Sequence, residues 1–457
     1  MRTRLLALLV AAGLLLAGCA HFPQTKPLAA WSPKTGYRYA NLDKAHNGDG
    51  LLVILTFSGG GTRAAALAYG VLEKLRTSTV PMDDGAHNLL RDVDVISSVS
   101  GGSFTAAYYV LNGDAMFKPG GRFQKNFLYA DVQKDLTLTL VNPYNWVRLA
   151  SPTFGRIDLA AEVYKNLLFG DATYAVLDRR ARKPFLMVNA TDMTKGARFA
   201  FIQAQFDPLC ADLDSVSIAR AVAASSDFPV AFTPLTLNSY PGRCGYREPG
   251  WVSGALKDVA DSPSRYYRAR MLRTYEEPSR RYVHLLDGGV ADNIGLRGPL
   301  TAIQSTDPDW SVLREINLEE VKKLVVIVVD ARNESHTSYD ESSHAPGLVP
   351  VVNAIATTPL ENYSFDTLEL LKDALRRRAD AQRQNPDLWQ VKMYRIYVGF
   401  DRITDKAERE RFLSMPTTFH LSRDQVDALR AEGGKLLEQS SCFEELVRGA
   451  GGPAGCP

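Results

Sequence analysis

Residues 51–63 read Leu-Leu-Val-Ile-Leu-Thr-Phe-Ser-Gly-Gly-Gly-Thr-Arg. The run 51–57 is too short for a buried helix and does not alternate, so it reads as a strand covered on both faces, the habit of a parallel sheet. Three glycines then break it, and an alanine-rich helical pattern follows over 62–77. A glycine-rich turn that opens a helix exposes backbone N–H groups able to hold a developing negative charge. A second turn of this kind lies about forty residues on: Ser98-Val99-Ser100-Gly101-Gly102, after the strand-like 93–96 and before the helical 104–111. A serine on a tight strand-to-helix turn is the nucleophile-elbow arrangement of serine hydrolases. The two turns predict an acyl-transfer site with nucleophile and charge stabiliser on neighbouring strands.

The same alternation of apolar runs and helical patterns continues outward from these turns, as in an α/β sheet. Strands are predicted at 185–191, 197–203, 282–286 and 324–329, and a helix at 215–224 with Asp212 or Asp214 near its cap. Two stretches interrupt the rhythm, 115–180 (aromatic and polar by turns) and 237–280 (rich in Arg and Tyr). Each reads equally as a lid that touches lipid or as a solvated excursion. The division expected is a hydrolase domain over 51–334 with these insertions, then a mainly helical region over 335–457.

At 457 residues the chain is one large domain with additions, or two domains. Its 45% hydrophobic and 23% charged residues exclude wholesale disorder. The net charge of +2 equals the contribution of Arg2 and Arg4; without residues 1–18, 51 basic residues face 51 acidic ones, which gives no support to a nucleic-acid role. Arg2 and Arg4 precede the apolar run 5–16, which is short for a membrane span and ends in Leu16-Ala17-Gly18-Cys19. This resembles a bacterial lipobox, which implies that 1–18 are a signal peptide and that Cys19 is lipidated. Ala20, where retention in the inner membrane would call for Asp, then implies the outer membrane. Residues 19–50, with Pro23, Pro27, Pro33 and Asn47-Gly48-Asp49-Gly50, read as a tether and lead-in. Four cysteines remain. Three pairings are open, of which Cys210–Cys244 and Cys442–Cys456 are nearest in sequence, and unpaired thiols are the alternative. No Cys or His spacing suggests a metal site.

A third element narrows the chemistry. Residues 282–286 run as a strand into Asp287-Gly288-Gly289, which sets a carboxylate at a strand end before a sharp turn. His284, on the same strand, points away from Asp287, and Asp292 and Asn293 shape the following turn. A Ser-His-Asp triad would need a histidine after the acid, and His336, His344 and His420 lack a matching strand end.

With Gly59-Gly60-Gly61-Thr62-Arg63, the Ser100 elbow, Asn189-Ala190-Thr191-Asp192, the stretch 221–234 (AVAASSDFPVAFTP) and Asp287-Gly288-Gly289 in this order, the chain resembles the patatin-like phospholipases over roughly 50–330. Ser98 departs from the glycine of the family's elbow. The resemblance implies a three-layer α/β/α fold with a mainly parallel central sheet, the mostly helical C-terminal extension lying outside it. It implies a dyad of Ser100 as nucleophile and Asp287 as general base, without metal or cofactor. Gly59, Gly60, Gly61 and Thr62 would form the oxyanion hole. Arg63 would hold a phosphate or orient the loop, and Ser98, Gly101, Gly102, Gly288 and Gly289 would shape the turns. The function expected is hydrolysis of membrane-lipid esters by a lipid-anchored enzyme of the bacterial cell envelope. Transfer of the acyl group to another acceptor, or a catalytically silent lipoprotein binding acyl chains or partner proteins, are the rivals.

Overall fold

The computed structural model describes residues 20–42, 50–228, 231–304, 321–334, 343–345, 347–387, 390–449 and 455–456, with backbone alone over 348–361. The predicted signal peptide, Cys19 and His336 lie outside the described residues.

The central sheet is formed by β1 (Leu51–Phe57), β2 (Val93–Val99), β3 (Phe185–Asp192), β4 (Ala197–Ala200), β5 (Leu235–Asn238), β6 (Tyr282–Asp287), β7 (Lys323–Asp330), β8 (Lys392–Gly399) and β9 (Gly455–Cys456). Its order is β9-β8-β7-β1-β2-β3-β6-β5, with β4 beside β3. From β9 to β3 the pairs are parallel, and β4, β5 and β6 run antiparallel to their neighbours. The principal helices are α1 (Gly61–Arg76), α2 (Gly101–Asn112), α3 (Val132–Val141), α4 (Pro143–Leu149), α5 (Arg156–Tyr164), α6 (Ile218–Ser225), α7 (Pro263–Thr274), α8 (Leu348–Gln384), α9 (Arg423–Glu438) and α10 (Ser441–Arg448). Every residue of β1 and β2 is buried, so the sheet is covered on both faces and the apolar run needs no alternation. This is the three-layer arrangement expected.

Register positions the site. Phe57 lies beside Ser98, Val99 beside Asn189, and Ala190 beside Asp287. The chain extends from β1 to β2 and β3 on one side, and returns through β7 and β8 on the other. The turns after β1 and β2 therefore project at the strand ends where direction reverses, the usual crevice of an open α/β sheet.

The C-terminal region is mostly helical but also supplies β8 and β9, so it completes the sheet. Its α9 crosses α1 at backbone contact: an added Cβ on Gly70 would lie 2.0 Å from the Arg430 carbonyl, and one on Gly433 2.5 Å from that of Leu67. Residues 20–42 correct the expectation of a tether. Lys26–Pro27 pairs with Ala211–Asp212, while Tyr37, Tyr39 and Leu42 enter the main core. The 218–225 helix is capped by Ser217, which accepts from the Arg220 N–H; Asp212 caps the short turn before it. Neither insertion is a loop. Phe123, Phe127 and Tyr164 of the first pack on or around Phe104 of α2, and the second folds on its own small cluster of Trp251, Val252, Ala255, Ala269 and Leu272. Disulfides join Cys210 to Cys244 and Cys442 to Cys456.

Candidate active site

Ser100 occupies a backbone conformation of φ 48°, ψ −121°, which side-chain-bearing residues rarely adopt and which costs about 1–3 kcal/mol. Its surroundings enforce it. An added Cβ on Gly101 would lie 2.0 Å from the Gly61 carbonyl oxygen, and one on Gly102 2.7 Å from that of Ser58, so only glycine lets the elbow meet the first turn. The Ser100 N–H donates to Ser225 Oγ at 2.8 Å. Ser225 Oγ in turn donates to the Asn189 carbonyl at 2.6 Å, and its own carbonyl accepts the Gly288 N–H at 3.1 Å. The C-terminus of α6 thus clamps the serine turn and the aspartate turn together. Ser98 fits without disturbance: its buried hydroxyl accepts from Ser103 Oγ at 3.1 Å and donates to the Met187 carbonyl at 3.4 Å.

Asp287 lies near Ser100, whose side chain favours the ionised form of its carboxyl. Oδ1 also accepts the Gly289 N–H at 2.7 Å, and the Asp287 carbonyl accepts Thr191 Oγ1 at 2.8 Å. Gly288 rests on the Asn189 carbonyl, where an added Cβ would approach to 2.2 Å. Burial raises the Asp287 carboxyl from 3.8 to about 7, against the opposing pull of the Gly289 and Ser100 donors. It is thereby placed where a general base works best near neutrality. Asp227, fully buried beyond α6, accepts the Asp287 N–H on its carbonyl (3.0 Å) and the Leu235 N–H on Oδ2 (3.1 Å). Burial, then the charge of Asp287, raises its carboxyl to about 9, so it is neutral at pH 7.

The glycine turn divides the predicted oxyanion donors. Gly59 N–H donates to the Asn293 carbonyl and Thr62 N–H to that of Thr418, both at 2.9 Å, so these two are engaged and cannot receive an oxyanion. The N–H groups of Gly60 and Gly61 make no hydrogen bond among the described residues, and neither does that of Gly101 at the start of α2. Gly60 (φ 134°) and Gly61 (φ 58°) need glycine to turn the chain. An added Cβ on Gly59 would lie 3.3 Å from Ser100 Cβ, which sets this turn against the nucleophile. Free amides at the starts of two helices beside a serine can stabilise a tetrahedral oxyanion.

Arg63 does not face a substrate. It is 1% exposed and donates to the carbonyls of Ala331 (2.7 Å) and Met415 (2.5 Å) and to Asn333 Oδ1 and Thr417 Oγ1 (both 3.0 Å). Of the two roles expected, orienting the loop fits and holding a phosphate does not. Its burial lowers the guanidinium to about 10, with Asp330 opposing.

The other motifs find places. Asn189 Nδ2 donates to Ser97 Oγ (2.9 Å) and the Ser98 carbonyl (3.0 Å), bracing the end of β2. Asp192 holds Tyr275 and Arg280 at the root of the second insertion. Asp292 accepts the Leu296 and Arg297 N–H groups, closing the turn after Gly289. His284 pairs with Thr236 Oγ1 at 3.1 Å, and His420 lies 3.8 Å from Asp131. Sequence reasoning missed Ser225, Asp227 and Thr418; the first two sit in the quoted stretch 221–234, and nothing local marks the third.

A model of the patatin-like phospholipase family matches residues 55–300. No curated protein matches the chain. Among solved structures it is similar to human GIVD cytosolic phospholipase A2, at 12% identity and a TM-score of 0.44, over 96% of this chain and 66% of that one. The same human enzyme in complex with methyl gamma-linolenyl fluorophosphonate is similar at 13% identity and a TM-score of 0.41, over 96% and 64%. The chain spans just under two thirds of the length of these structures. Matched by the family model over more than half of its length, the chain belongs to the patatin-like phospholipase family.

Proposed function

We propose that this protein is a lipid acyl hydrolase that cleaves carboxylic esters of membrane lipids through Ser100 and Asp287. The observation that carries the reading is the strained Ser100 turn set near a buried carboxyl raised to about 7, with the unengaged Gly60 and Gly61 amides on the adjoining turn. In the first half-reaction Ser100 Oγ attacks the ester carbonyl carbon while its proton passes to Asp287. The carbonyl oxygen becomes an oxyanion held by Gly60 and Gly61 N–H, with Gly101 N–H beside them. Collapse breaks the ester C–O bond, and the departing alkoxide takes the proton from Asp287, leaving an acyl-Ser100 ester. In the second half a water gives its proton to Asp287 and attacks that ester; collapse returns the proton to Ser100 Oγ and releases the fatty acid. Cys19, if lipidated as its context suggests, would tether the enzyme to the outer membrane of a bacterial envelope, where substrate is concentrated.

Mass spectrometry after treatment with a fluorophosphonate tests the dyad. The expected outcome is one adduct, on Ser100, absent from Ser100→Ala and strongly slowed in Asp287→Asn, with lipid esterase activity lost in both. Full labelling and turnover in Asp287→Asn would overturn the dyad. A folded protein that takes no label would favour an acyl-binding lipoprotein.

A further inference from the structure

We propose that the hairpin of α3 and α4 is the surface through which this protein lies on the bilayer, and that the chain's N-terminal anchor is built to hold it there. The choice of a bilayer as partner rests on the lipid-ester reading above. Large apolar side chains are exposed on both arms: Leu138 (55%) and Val141 (52%) on α3, Tyr144 (70%) and Trp146 (59%) on α4. The arms are fixed to each other, because Trp146 Nε1 donates to the Leu140 carbonyl at 3.0 Å and Asn145 Nδ2 to the Thr139 carbonyl at 2.8 Å. A rigid hairpin that holds a Trp and a Tyr in water beside aliphatic side chains has the composition of a membrane-interface element.

What covers this face is indicated by where the chain enters. Ala20, one peptide bond from Cys19, is pinned just past α4: its carbonyl accepts Ser151 Oγ (2.6 Å) and Thr153 Oγ1 (3.2 Å), and Phe22 N–H donates to the Thr153 carbonyl (2.8 Å). An acyl group on Cys19 would therefore leave the protein just past the C-terminal end of α4. Two weak membrane signals, one lipid group and one aromatic patch, then act from the same face.

The hairpin also adjoins the site. An open groove of about 380 Å³ runs between Gln133, Thr137 and Leu138 of α3 and the Thr418–His420 segment. The Thr418 carbonyl fixes the Thr62 N–H of the oxyanion turn, while its hydroxyl bonds Gln133 at the root of the hairpin. One residue, Thr418, thus links the hairpin to the glycine turn. From 131 to 149 the charges balance (Asp131 and Asp135 against Lys134 and Arg148), so insertion depends on apolar contact and not on anionic lipid.

The test uses the full chain in a Ser100→Ala background, so that no lipid is cut and the outcome is independent of the hydrolase reading. Tryptophan fluorescence is followed on adding vesicles of phosphatidylcholine brominated along the acyl chain. The expected result is quenching that is insensitive to salt, lost in Trp146→Phe although Trp31, Trp251, Trp310 and Trp389 remain, and weakened in Val141→Asp. With Ser100 restored, Val141→Asp should lower the ratio of turnover on vesicles to turnover on a short soluble ester by about tenfold, the loss of one buried side chain's transfer free energy. Quenching equal in Trp146→Phe and its parent, or none in either, would overturn the proposal. The second result would leave the leader 5–16 or another copy of the chain as the cover of this face.

Discussion

Replacing Asp287 with Asn should abolish activity and, at neutral and alkaline pH, stabilise the protein. Burial raises this carboxyl from 3.8 to about 7, because desolvation outweighs the Gly289 and Ser100 donors. In the unfolded chain the same group ionises at its ordinary value, so between about pH 4 and 7 the folded state binds the extra proton. Stability therefore falls as pH rises through this window. A shift of about three units, at about 1.4 kcal/mol each, makes the loss on the order of 4 kcal/mol, complete above about pH 7 and absent below about pH 4. Asparagine stays neutral throughout, and its side-chain oxygen can still accept the Gly289 N–H. Calorimetric Tm values of the variant and the parent should coincide near pH 4 and separate as pH rises, the variant being higher and the gap levelling off by about pH 8. The same titration acts on turnover in the opposite sense, since only the ionised carboxylate can take the serine proton. In the parent, kcat/KM should rise with pH to a plateau with its midpoint near 7. A Tm gap that ignores pH, or a midpoint near 4, would refute the argument that burial tunes this base.

Three further outcomes follow from neighbouring contacts. Ser225→Ala removes the acceptor of the Ser100 N–H, a bond worth about 1–3 kcal/mol where a buried donor is orphaned; fluorophosphonate labelling should slow about 10- to 100-fold with KM for a soluble ester little changed. Arg63→Met orphans the Ala331 and Met415 carbonyls and should lower both Tm and kcat, whereas a change confined to KM for phosphate-bearing lipids would show that Arg63 binds substrate after all. Asp227 and Asp287 titrate as a pair with apparent values near 9 and 7, so charging Asp227 adds a second negative charge beside the Asp287 carboxylate. The parent should lose activity above about pH 9, and Asp227→Asn should keep its plateau there; an alkaline limb common to both would remove Asp227 from the account.

The parts of the site written locally were legible. A strand, a glycine turn and a helix each leave a mark within about ten residues, so the turns at 59–61 and 100–102 and the Asp287 strand end follow from residue order alone. What closes the site is not local. Ser225 reaches the Ser100 amide across 125 residues of sequence, and Arg63 reaches the Met415 carbonyl across 352. Backbone carbonyls as partners leave no trace in residue identity. For that reason Gly59 and Thr62 resemble free donors in the sequence, although Asn293 and Thr418 engage them in the fold. Arg63 could equally have held a phosphate, because its donors are the same whether a ligand or a loop receives them. The 20–42 segment escapes sequence reading for another reason: scattered aromatics such as Tyr37 and Tyr39 bury it without any periodicity.

An aspartate can act alone as base to a serine only if two requirements conflict and are both met. It must be basic enough to take the proton, which calls for burial, yet its ionised form must survive that burial, which calls for donors. Here the donors are few: the Gly289 amide and the serine hydroxyl itself, the group that is to be deprotonated. Among the described residues, no arginine, lysine or histidine belongs to the groups that set its titration. A cation there would lower the carboxyl and disable it. The nearest added acid, Asp227, is neutral near pH 7, so it raises polarity next to the base without adding charge. In the proposed mechanism the glycine turn supplies the positive potential for the oxyanion, and its geometry is fixed by Arg63 and Thr418 against the C-terminal region. That region lies beyond the 55–300 match, yet it holds in place the turn whose Gly59 lies against Ser100. The proposed site therefore draws on the whole sheet with both of its flanks, and the family-matched part alone would leave the glycine turn without the Thr418 and Met415 contacts that brace it.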